Sequence, residues 1–411
     1  MAEVVPFRGI VYNAAEVSGG EVVAPPYDII TPDMRAALYR KSPYNIVRID
    51  SGEEYGGDHD GENKYVRAAR FLEEWQSTGI LVQPDRRSFY AYAMDYDAGE
   101  GRERLSGFFG LVKLEELGKG VYPHEETHAK PKVDRLKLMT ACEANTSPIF
   151  SLYDSPAKKA SGVLDKVMEG NPYIEAEDAG GVIHRLWVIE EEGEIDAIGN
   201  DLEGKDIIIA DGHHRYETAL EFRRLREESR CQGTCDYVLM FLANIADRGI
   251  TILPTHRIIK YGQKNMLEML SRHFSIETLP PDRDIIRAMR GKTQTLSLSL
   301  KGEEQRYLLR YTGAGVEDLD PSLQGLDVII LHELVLKRLL KVSDIVYEMD
   351  AARAEEQMRE GDYDAVFFLN PTRVEDVERV ALLSRRLPPK STYFYPKVMT
   401  GFVINSFKNS L

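Results

Sequence analysis

A short stretch near the middle of the chain, residues 207–220, gathers side chains that can do chemistry. Three isoleucines and an alanine lead to an aspartate, and a glycine, two histidines and an arginine follow before a helix-forming segment. That order predicts a strand, a tight turn and a helix N-terminus, whose first turn offers unpaired backbone N–H groups and a positive dipole end. Gly212 lets the backbone approach a ligand closely, and Arg215 offers donors suited to phosphate oxygens. The stretch predicts an anion site with two imidazoles, His213 and His214, that can serve as acid, base or metal ligand.

Gly212, Arg215 and Ala219 form a G-x-x-R-x-x-A pattern that resembles the signature of the ParB/sulfiredoxin superfamily. In those proteins this strand, loop and helix cradle nucleotide phosphates, and the activities include CTP-dependent DNA clamps, ATP-dependent sulfinic acid reductases and free-serine kinases. The resemblance implies that Asp211, Gly212, His213 and Arg215 bind nucleotide phosphates. The alternative is an ordinary strand, turn and helix whose polar side chains bond to the protein itself.

A longer resemblance runs from one end of the chain to the other. The chain is similar to the family labelled domain of unknown function 1015, and the blocks that carry the similarity are PFRGIVYN (6–13), VVAPPYDII (22–30), PHEETHAKPKVDRLKL (123–138), ANTSPIF (144–150), ADGHHRYETAL (210–220) and LPPKSTYFYPKVMTG (387–401). This similarity supports the superfamily placement but implies no activity of its own.

The segment from His124 to His128 matches the HExxH pattern of zinc proteases. That chemistry needs both histidines one turn apart on a helix, and Pro131 disfavours a helix there. We expect instead a loop dense in functional side chains, Asp134 and Arg135 among them, in which His124 and Glu125 are catalytic candidates. A solvated charged loop is the alternative.

Two further motifs are stiffened by prolines. The KSTYFYPK segment offers Lys390, Ser391, Thr392 and Lys397 to a phosphate or carboxylate, and a structural turn with exposed lysines is the alternative. Asp28 follows Pro25 and Pro26, and it can serve as a base or a magnesium ligand or simply cap a turn.

The composition narrows the class of protein. The chain has 411 residues, enough for two or three domains. Its net charge of −15 argues against a general nucleic-acid binder, because phosphate neutralisation needs clustered Lys and Arg. Three cysteines do not make a disulfide framework, and we expect Cys231 and Cys235 to be incidental thiols. Neither a signal pattern nor a membrane-spanning apolar run is evident, so we expect a cytoplasmic protein.

The pattern of apolar residues predicts an α+β protein with mixed α/β segments at both ends, and the motif resemblance implies a ParB/sulfiredoxin-like core between them. The division we expect is an N-terminal segment (1–155), a core segment (156–260) and a C-terminal segment (261–411). Alternating apolar residues predict hairpins over 88–96 with 104–112 and over 293–300 with 305–311. Continuous apolar runs predict strands over 207–211 and 237–245, and helices are predicted over 326–340 and 374–386. The PYNIVRID segment, with Asn45 and Arg48, is predicted as a strand.

These observations favour a nucleotide-dependent enzyme acting on a small molecule. The resemblance to free-serine kinases makes a serine-like amino acid or hydroxy acid the first substrate to test, with ATP or ADP, or CTP, as nucleotide and Mg²⁺ held by Asp28 or Glu125. His214 or a carboxylate would orient the substrate hydroxyl, since phosphoryl transfer is mainly positioning and charge neutralisation. A nucleotide-gated binding protein and a phosphatase of a phosphorylated metabolite remain alternatives. The sequence leaves open whether the chain forms an oligomer.

Overall fold

The computed structural model describes residues 2–99, 101–127, 129–227, 233–262 and 265–408. Contacts divide the chain into two compact units. Unit 1 comprises Met1–Pro123, Thr127–Ile250 and Pro396–Leu411, and unit 2 comprises His124–Glu126 and Thr251–Tyr395. The contacts therefore group the chain differently from the predicted segments with boundaries after residues 155 and 260, because unit 1 takes residues from all three.

The strands of the described residues are short, and most belong to two sheets. In chain order they are β1 Val4–Val5, β2 Val11–Tyr12, β3 Leu81–Val82, β4 Phe89–Asp97, β5 Arg102–Lys113, β6 Val121–Pro123, β7 Ala144–Asn145, β8 Ile149–Tyr153, β9 Ile174–Glu177, β10 Ile183–Ile189, β11 Ile207–Asp211, β12 Tyr237–Asn244, β13 Thr251–Leu253, β14 His256–Ile259, β15 Phe274–Leu279, β16 Thr295–Leu300, β17 Arg306–Tyr311, β18 Ile345–Glu348, β19 Ala365–Phe368, β20 Tyr393–Tyr395 and β21 Asn405–Ser406.

The helices alternate with these strands along the chain. They are α1 Gly19–Val22, α2 Pro32–Lys41, α3 Val47–Asp50, α4 Lys64–Ser77, α5 Ala129–Cys142, α6 Lys159–Met168, α7 Glu192–Leu202, α8 His213–Glu227, α9 Met266–Leu270, α10 Ile285–Met289, α11 Asp327–Ile329, α12 Ala351–Glu360 and α13 Val374–Leu382, with 3₁₀ turns at Tyr27–Ile29 and Thr234–Asp236 and a π-helix at Ile330–Leu340 that continues α11.

Unit 1 is built on a nine-stranded mixed sheet. The strand order is β6-β11-β8-β12-β5-β4-β10-β9, and β1 pairs with β5. β6 runs parallel to β11 and β8 runs parallel to β12, whereas the other pairs are antiparallel. The central strand β12 is buried along its whole length, as expected for an apolar run covered on both faces. A core of aliphatic and aromatic side chains from this sheet and from α6, α7 and α8 fixes the position of β11 and α8.

Unit 2 is built on a six-stranded antiparallel sheet with the order β15-β17-β16-β19-β14-β18. A separate two-stranded ribbon joins β13 to β20. The core of this unit packs the sheet against α9 and the π-helix on one side, with a second cluster that involves α10 and α12. The mixed α/β architecture expected from the sequence is therefore confirmed in both units.

Most of the predicted elements are present. Strands β4 and β5 form the first hairpin, β16 and β17 form the second, and β11 leads into α8 as the central motif requires. Thr31 caps α2 as its Oγ1 accepts the N–H of Met34 at 3.2 Å, with Pro32 in the first turn. Local chemistry and alternation are strong signals at these positions, so the predictions there succeed.

Two predictions about local structure were wrong. The segment predicted as a strand around Asn45 contains helix α3 instead, because the Asn45 side chain accepts the N–H of Val47 at 3.0 Å and so starts a helical turn. Asp134 and Arg135, expected on a loop, lie on α5, which begins at Ala129. Pro131 falls in the first turn of that helix, where a proline removes no intrahelical hydrogen bond.

The cysteine expectation also needs correction. Cys235 is disulfide-bonded rather than an incidental thiol, whereas Cys142 is a buried free thiol. Cys231 lies outside the described residues.

Candidate functional site

The regular pairing of β11 with β8 is interrupted near the end of β11. The pairing of β11 with β8 shifts register between Ile209 and Asp211, which is a β-bulge. The next residue, Gly212, is buried and has φ of +99°, a conformation that side-chain-bearing residues rarely adopt. Helix α8 begins directly after it, so the first backbone N–H groups of α8 follow the bulge and the glycine.

Arg215 folds back over this turn. A Cβ atom added to Gly212 would lie 2.9 Å from Arg215 Nε and 3.0 Å from Cζ, so only glycine leaves room for the guanidinium. Arg215 Nη1 donates a hydrogen bond to the carbonyl oxygen of Pro148, and Nη2 lies 3.9 Å from Asp211 Oδ1. The Arg215 Nε atom is buried and has no hydrogen-bond partner among the described residues. The guanidinium is therefore held in place but is only partly satisfied.

A second cation reaches Asp211 from the C-terminal part of unit 1. Lys397 Nζ lies 3.0 Å from Asp211 Oδ2, and both side chains are largely buried. Asp211 thus has a lysine and an arginine as neighbours. Two cations thus face one carboxylate at the start of a helix, whose first N–H groups and positive dipole end favour an anion.

One turn further along α8, Glu217 has partners of its own. Its Oε2 accepts hydrogen bonds of 2.8 Å from Thr127 Oγ1 and from Lys132 Nζ. Glu217 and Lys132 therefore form an ion pair on this face of α8. His213 is buried and His214 is half-buried, and both lie in the first turn of α8.

Asp28, the predicted base or magnesium ligand, is exposed in the 3₁₀ turn Tyr27–Ile29 of unit 1. Its neighbour Tyr27 lies over the guanidinium of Arg135, which is 4.0 Å from the ring centre. Burial raises the pKa of Tyr27 to about 12, although the positive charges of Arg215 and Arg135 act in the opposite direction. Tyr27 therefore stays protonated at neutral pH and lies within the field of Arg215.

A buried network that the sequence did not reveal surrounds Arg135. Arg135 Nη1 donates to the backbone oxygen of Asp50 at 2.8 Å and lies 3.3 Å from Asp50 Oδ1. Arg135 also contacts Asp134 Oδ2 through Nε at 2.9 Å and through Nη2 at 2.6 Å. Lys64 Nζ lies 2.7 Å from Asp134 Oδ1, and Thr146 Oγ1 donates to Asp50 Oδ1 at 2.7 Å. Asp50 carried no sequence signal, since it simply ends a short run of alternating apolar residues.

The charge of this network has a measurable consequence at Asp134. Burial acts to raise the pKa of Asp134, but the charge of Arg135 and the hydrogen bonds from Lys64 and Arg135 outweigh it and lower the pKa to about 2. Asp134 is therefore ionised at neutral pH.

The other predicted residues meet in unit 2. His124 is fully buried, and its Nε2 lies 2.8 Å from Thr392 Oγ1. Glu125 Oε1 accepts the backbone N–H of Lys390 at 2.7 Å, and Oε2 accepts that of Ser391 at 3.3 Å and the hydroxyl of Thr392 at 3.4 Å. Lys390 has a left-handed φ of +59°, which turns these donors toward the carboxylate.

The donors predicted to hold a phosphate in the KST segment thus hold a carboxylate of the protein itself. Glu125 is an internal anion that fixes the segment, as a phosphate would. This geometry gives Glu125 a structural use, and its role as a magnesium ligand stays a prediction. Ser391 Oγ is likewise engaged, donating to the carbonyl oxygen of Pro388 at 2.6 Å.

Arg257, in strand β14, supports the same segment of unit 2. It is buried, and its Nη2 donates to the carbonyl oxygen of Lys390 at 3.0 Å. Burial lowers the pKa of Arg257 to about 10. Its neighbour His256 has a pKa lowered to about 4 by burial and by the positive charge of Arg257, so the His256 imidazole is neutral at pH 7.

The structure brings the predicted site residues together in two groups. Unit 1 holds Asp28, Asp211, Gly212, His213, His214, Arg215 and Lys397, and unit 2 holds His124, Glu125, Lys390, Ser391 and Thr392. The residues from His124 to Thr127 are not helical, so the zinc protease geometry is not formed there. Across the described ranges there is no group of three His, Cys, Asp or Glu side chains arranged to hold a metal ion. In the same part of the chain, no helix has the length and apolar character needed to cross a membrane.

The fold has distant counterparts among solved structures. A free serine kinase in complex with AMP is 15% identical, with a TM-score of 0.38 and coverage of 70% of this chain and 86% of that one. A conserved hypothetical protein from Pyrococcus furiosus is 14% identical, with a TM-score of 0.39 over 72% and 95%. SbnI from Staphylococcus aureus, truncated at its C-terminus, is 12% identical, with a TM-score of 0.38 over 73% and 89%. These similarities are too low to carry a functional argument.

A search of curated proteins found no match. A family model does match, and it covers residues 4–329, which is well over half of the chain. The chain therefore belongs to the family of proteins of unknown function called DUF1015.

Proposed function

We propose that the protein is a nucleotide-dependent phosphotransferase that phosphorylates a small hydroxylated molecule, with a serine-like amino acid or a hydroxy acid as the first candidate. The observation that carries the proposal is the turn from β11 into α8, where Gly212 admits the guanidinium of Arg215 beside the helix N-terminus. The motif resemblance to the ParB/sulfiredoxin superfamily supports the same use of this turn.

Phosphates would bind at the start of α8. The N–H groups of Gly212 and His213 and the guanidinium of Arg215 are the donors, and Lys397 neutralises further charge beside Asp211. Arg215 needs only to exchange a neutral acceptor, the Pro148 carbonyl, for a charged phosphate oxygen. Hydrogen bonds to charged groups contribute more than hydrogen bonds to neutral ones, so the exchange favours binding.

The chemical step is a displacement at the terminal phosphorus atom. The substrate hydroxyl oxygen forms a bond to phosphorus, the bond from phosphorus to the bridging oxygen breaks, and the nucleoside diphosphate (from ATP or CTP) leaves. The hydroxyl proton passes to a nearby base, for which His214 and Asp28 are the candidates in unit 1. A donor of ADP type would leave AMP by the same displacement.

The carboxylates present fit a magnesium ion held mainly by the nucleotide. Mg²⁺ usually keeps several waters and takes one or two carboxylates together with substrate phosphates, so a dedicated protein cage is not needed. Exposed Asp28 suits this role better than Glu125, whose oxygens accept N–H groups of the KST segment. The ion would neutralise charge on the transferred phosphoryl group.

Phosphorus NMR tests the proposal directly. The protein would be mixed with Mg²⁺, with ATP, ADP or CTP in turn, and with serine and related hydroxy acids. A new phosphomonoester signal is expected with the wild-type protein and not with Arg215→Ala. Slow hydrolysis or line broadening without a new ester would instead favour a nucleotide-gated binding protein, and phosphate release from a phosphorylated metabolite alone would favour a phosphatase.

Arg223 provides the matched control. It lies on the same helix, its Nη1 also donates to a backbone carbonyl, that of Leu114, and its Nε is also without a partner among the described residues. Arg223→Ala removes the same chemical group about three turns from the helix N-terminus. Nucleotide affinity should fall about tenfold to a hundredfold in Arg215→Ala, for a charged hydrogen bond of roughly 1.5–3 kcal/mol, and remain unchanged in Arg223→Ala. Equal affinities in the two folded variants would contradict the proposal.

A further inference from the structure

Unit 1 contains a polar pocket of about 210 Å³ that none of the predicted motifs includes as a whole. The residues that line it are Tyr27, Arg35, Ile49, Asp50, Ser51, Gly52, Lys64, Tyr65, Asp134, Arg135 and Leu138. Drug-sized ligands occupy pockets of about 300–1,000 Å³, so this pocket suits a smaller metabolite than a nucleotide.

Two of the lining cations share one carboxylate. Asp134 contacts Lys64 at 2.7 Å and Arg135 at 2.6 Å, and it also accepts a hydrogen bond of 2.9 Å from Tyr65. Lys64 pairs with Glu54 as well, at 2.7 Å, and Arg135 lies 3.3 Å from Asp50 Oδ1. Both cations therefore have carboxylate partners within the protein.

Asp50 is a buried carboxylate with one oxygen unused. Its side chain is only 2% exposed, and Oδ1 is occupied by Thr146 and Arg135. Oδ2 is buried and has no hydrogen-bond partner among the residues that the structure describes. A buried carboxylate oxygen without a partner is strongly disfavoured, so a donor from a ligand, an ammonium or a hydroxyl, is the natural complement.

Arg35 offers the opposite charge on the same pocket. Its Nη2 donates a long hydrogen bond of 3.3 Å to Ser51 Oγ, and its Nε is buried without a partner in the described ranges. Within that part of the chain Arg35 has no carboxylate within ion-pair distance, unlike Lys64 and Arg135. Its guanidinium therefore suits a carboxylate of the ligand.

The pocket also adjoins the anion site of α8. Arg135 and Leu138 line this pocket and also a smaller cavity whose wall includes Thr146, Ser147 and Arg215. A small molecule bound between Asp50 and Arg35 would therefore lie close to the guanidinium that is proposed to bind phosphate. That is the arrangement that phosphoryl transfer to a bound acceptor requires.

We propose that this pocket binds the acceptor, a compact molecule with a carboxylate held by Arg35 and an adjacent amine or hydroxyl held by Asp50. The chemical class is a small α-amino acid or α-hydroxy acid. This assignment rests on the proposed phosphotransferase function only where it names the bound molecule as the phosphoryl acceptor. Binding of that molecule needs no nucleotide.

Calorimetry with the full chain and without nucleotide tests the pocket. L-serine is the main probe, and ethanolamine, which lacks the carboxylate, is the comparison. Arg35→Gln should weaken L-serine binding at least tenfold and change ethanolamine binding little, because only the carboxylate of L-serine loses its ionic partner. Arg40→Gln is the matched control, because it removes the same charge from an exposed position on the same helix.

Asp50→Asn should weaken both probes, and tryptophan fluorescence would show whether that variant folds. Equal L-serine affinity in Arg35→Gln and Arg40→Gln would overturn the pocket assignment, as would the absence of binding by both probes to the wild-type protein. L-serine binding that depends on Arg35, without phosphoryl transfer from any nucleotide, would support the pocket and contradict the phosphotransferase. Transfer to L-serine that is equally fast in Arg35→Gln would support the enzyme and contradict the pocket.

Discussion

Adding one methyl group at Gly212 should disturb the anion site more than any comparable change at a glycine turn. Gly212→Ala places a Cβ 2.9 Å from Arg215 Nε and keeps φ at +99°. Left-handed backbone costs a non-glycine residue about 1–2 kcal/mol, and the stiffer unfolded chain returns about 0.4–1 kcal/mol of this. Displacing the guanidinium weakens its hydrogen bond to Pro148, which adds about 1–2 kcal/mol. The expected loss of stability is about 1–3.5 kcal/mol.

Gly181→Ala separates the two causes. Gly181 is an exposed turn residue in the same unit with φ of +77°, and a Cβ there would meet nothing within 4 Å. This variant therefore carries the backbone strain without the steric contact. Its stability should fall by about 1 kcal/mol or less.

Urea unfolding monitored by tryptophan fluorescence is the assay. Both tryptophans of the chain, Trp75 and Trp187, are buried in unit 1, so the signal reports the unit that holds the turn. With a slope of about 3 kcal/mol per molar urea, Gly212→Ala should lower the midpoint by about 0.3–1.2 M. Fluorescence of the same residues also monitors folding of every other unit 1 variant.

A double variant tests whether the contact with the Arg215 guanidinium causes the loss of stability. If the guanidinium is the obstacle, Gly212→Ala should destabilise an Arg215→Ala background no more than Gly181→Ala destabilises the wild-type chain. The reasoning fails if Gly212→Ala costs as little as Gly181→Ala in the wild-type background, or if its cost is unchanged when Arg215 is removed.

Three other outcomes follow from the geometry. Asp134 has a folded pKa of about 2, below its ordinary 3.8, so it contributes about 2 kcal/mol to unit 1 above pH 4 that is lost as the pH falls toward 2; acid titration of tryptophan fluorescence should show a shallower loss of stability in Asp134→Asn. Glu125→Gln removes the charge and replaces one of the two oxygens that accept the N–H groups of Lys390 and Ser391 with a donor, so hydrogen exchange at one or both of those amides should speed up at least tenfold; exchange at the wild-type rate at both would refute the internal-anion role. His256 should keep its neutral carbon chemical shift down to about pH 5 in NMR, because its pKa is lowered to about 4, and titration near 6.5 would contradict its burial.

The local part of the site could be predicted from the sequence. Asp211, Gly212 and Arg215 lie within five consecutive positions, so a strand ending, a left-handed glycine and a helix start are all encoded in one short segment. Local backbone preferences act over that range and survive without knowledge of the rest of the fold. The hairpin of β4 and β5 was predictable for the same reason.

The distant contacts could not be predicted in this way. Lys397 reaches Asp211 across 186 residues, and Arg135 reaches Asp50 across 85. No periodicity records which of many lysines or aspartates will meet in space. The helix at Asp134 was missed for a different reason, since Pro131 was taken to exclude a helix although it lies in the first turn, where proline is tolerated.

Residue type alone also does not distinguish carboxylates that hold the fold together from carboxylates with an oxygen available to a ligand. Glu125 looked catalytic in the sequence, yet its two oxygens accept hydrogen bonds from Lys390, Ser391 and Thr392. Asp50 attracted no notice, yet one of its buried oxygens lacks a partner among the described residues. A carboxylate oxygen with a partner in the protein stabilises the fold whether or not a ligand is bound, whereas the second oxygen of Asp50 gains a partner only when a ligand is bound. Variants of Arg35 should therefore alter ligand binding more than fold stability, and variants of Glu125 should do the reverse.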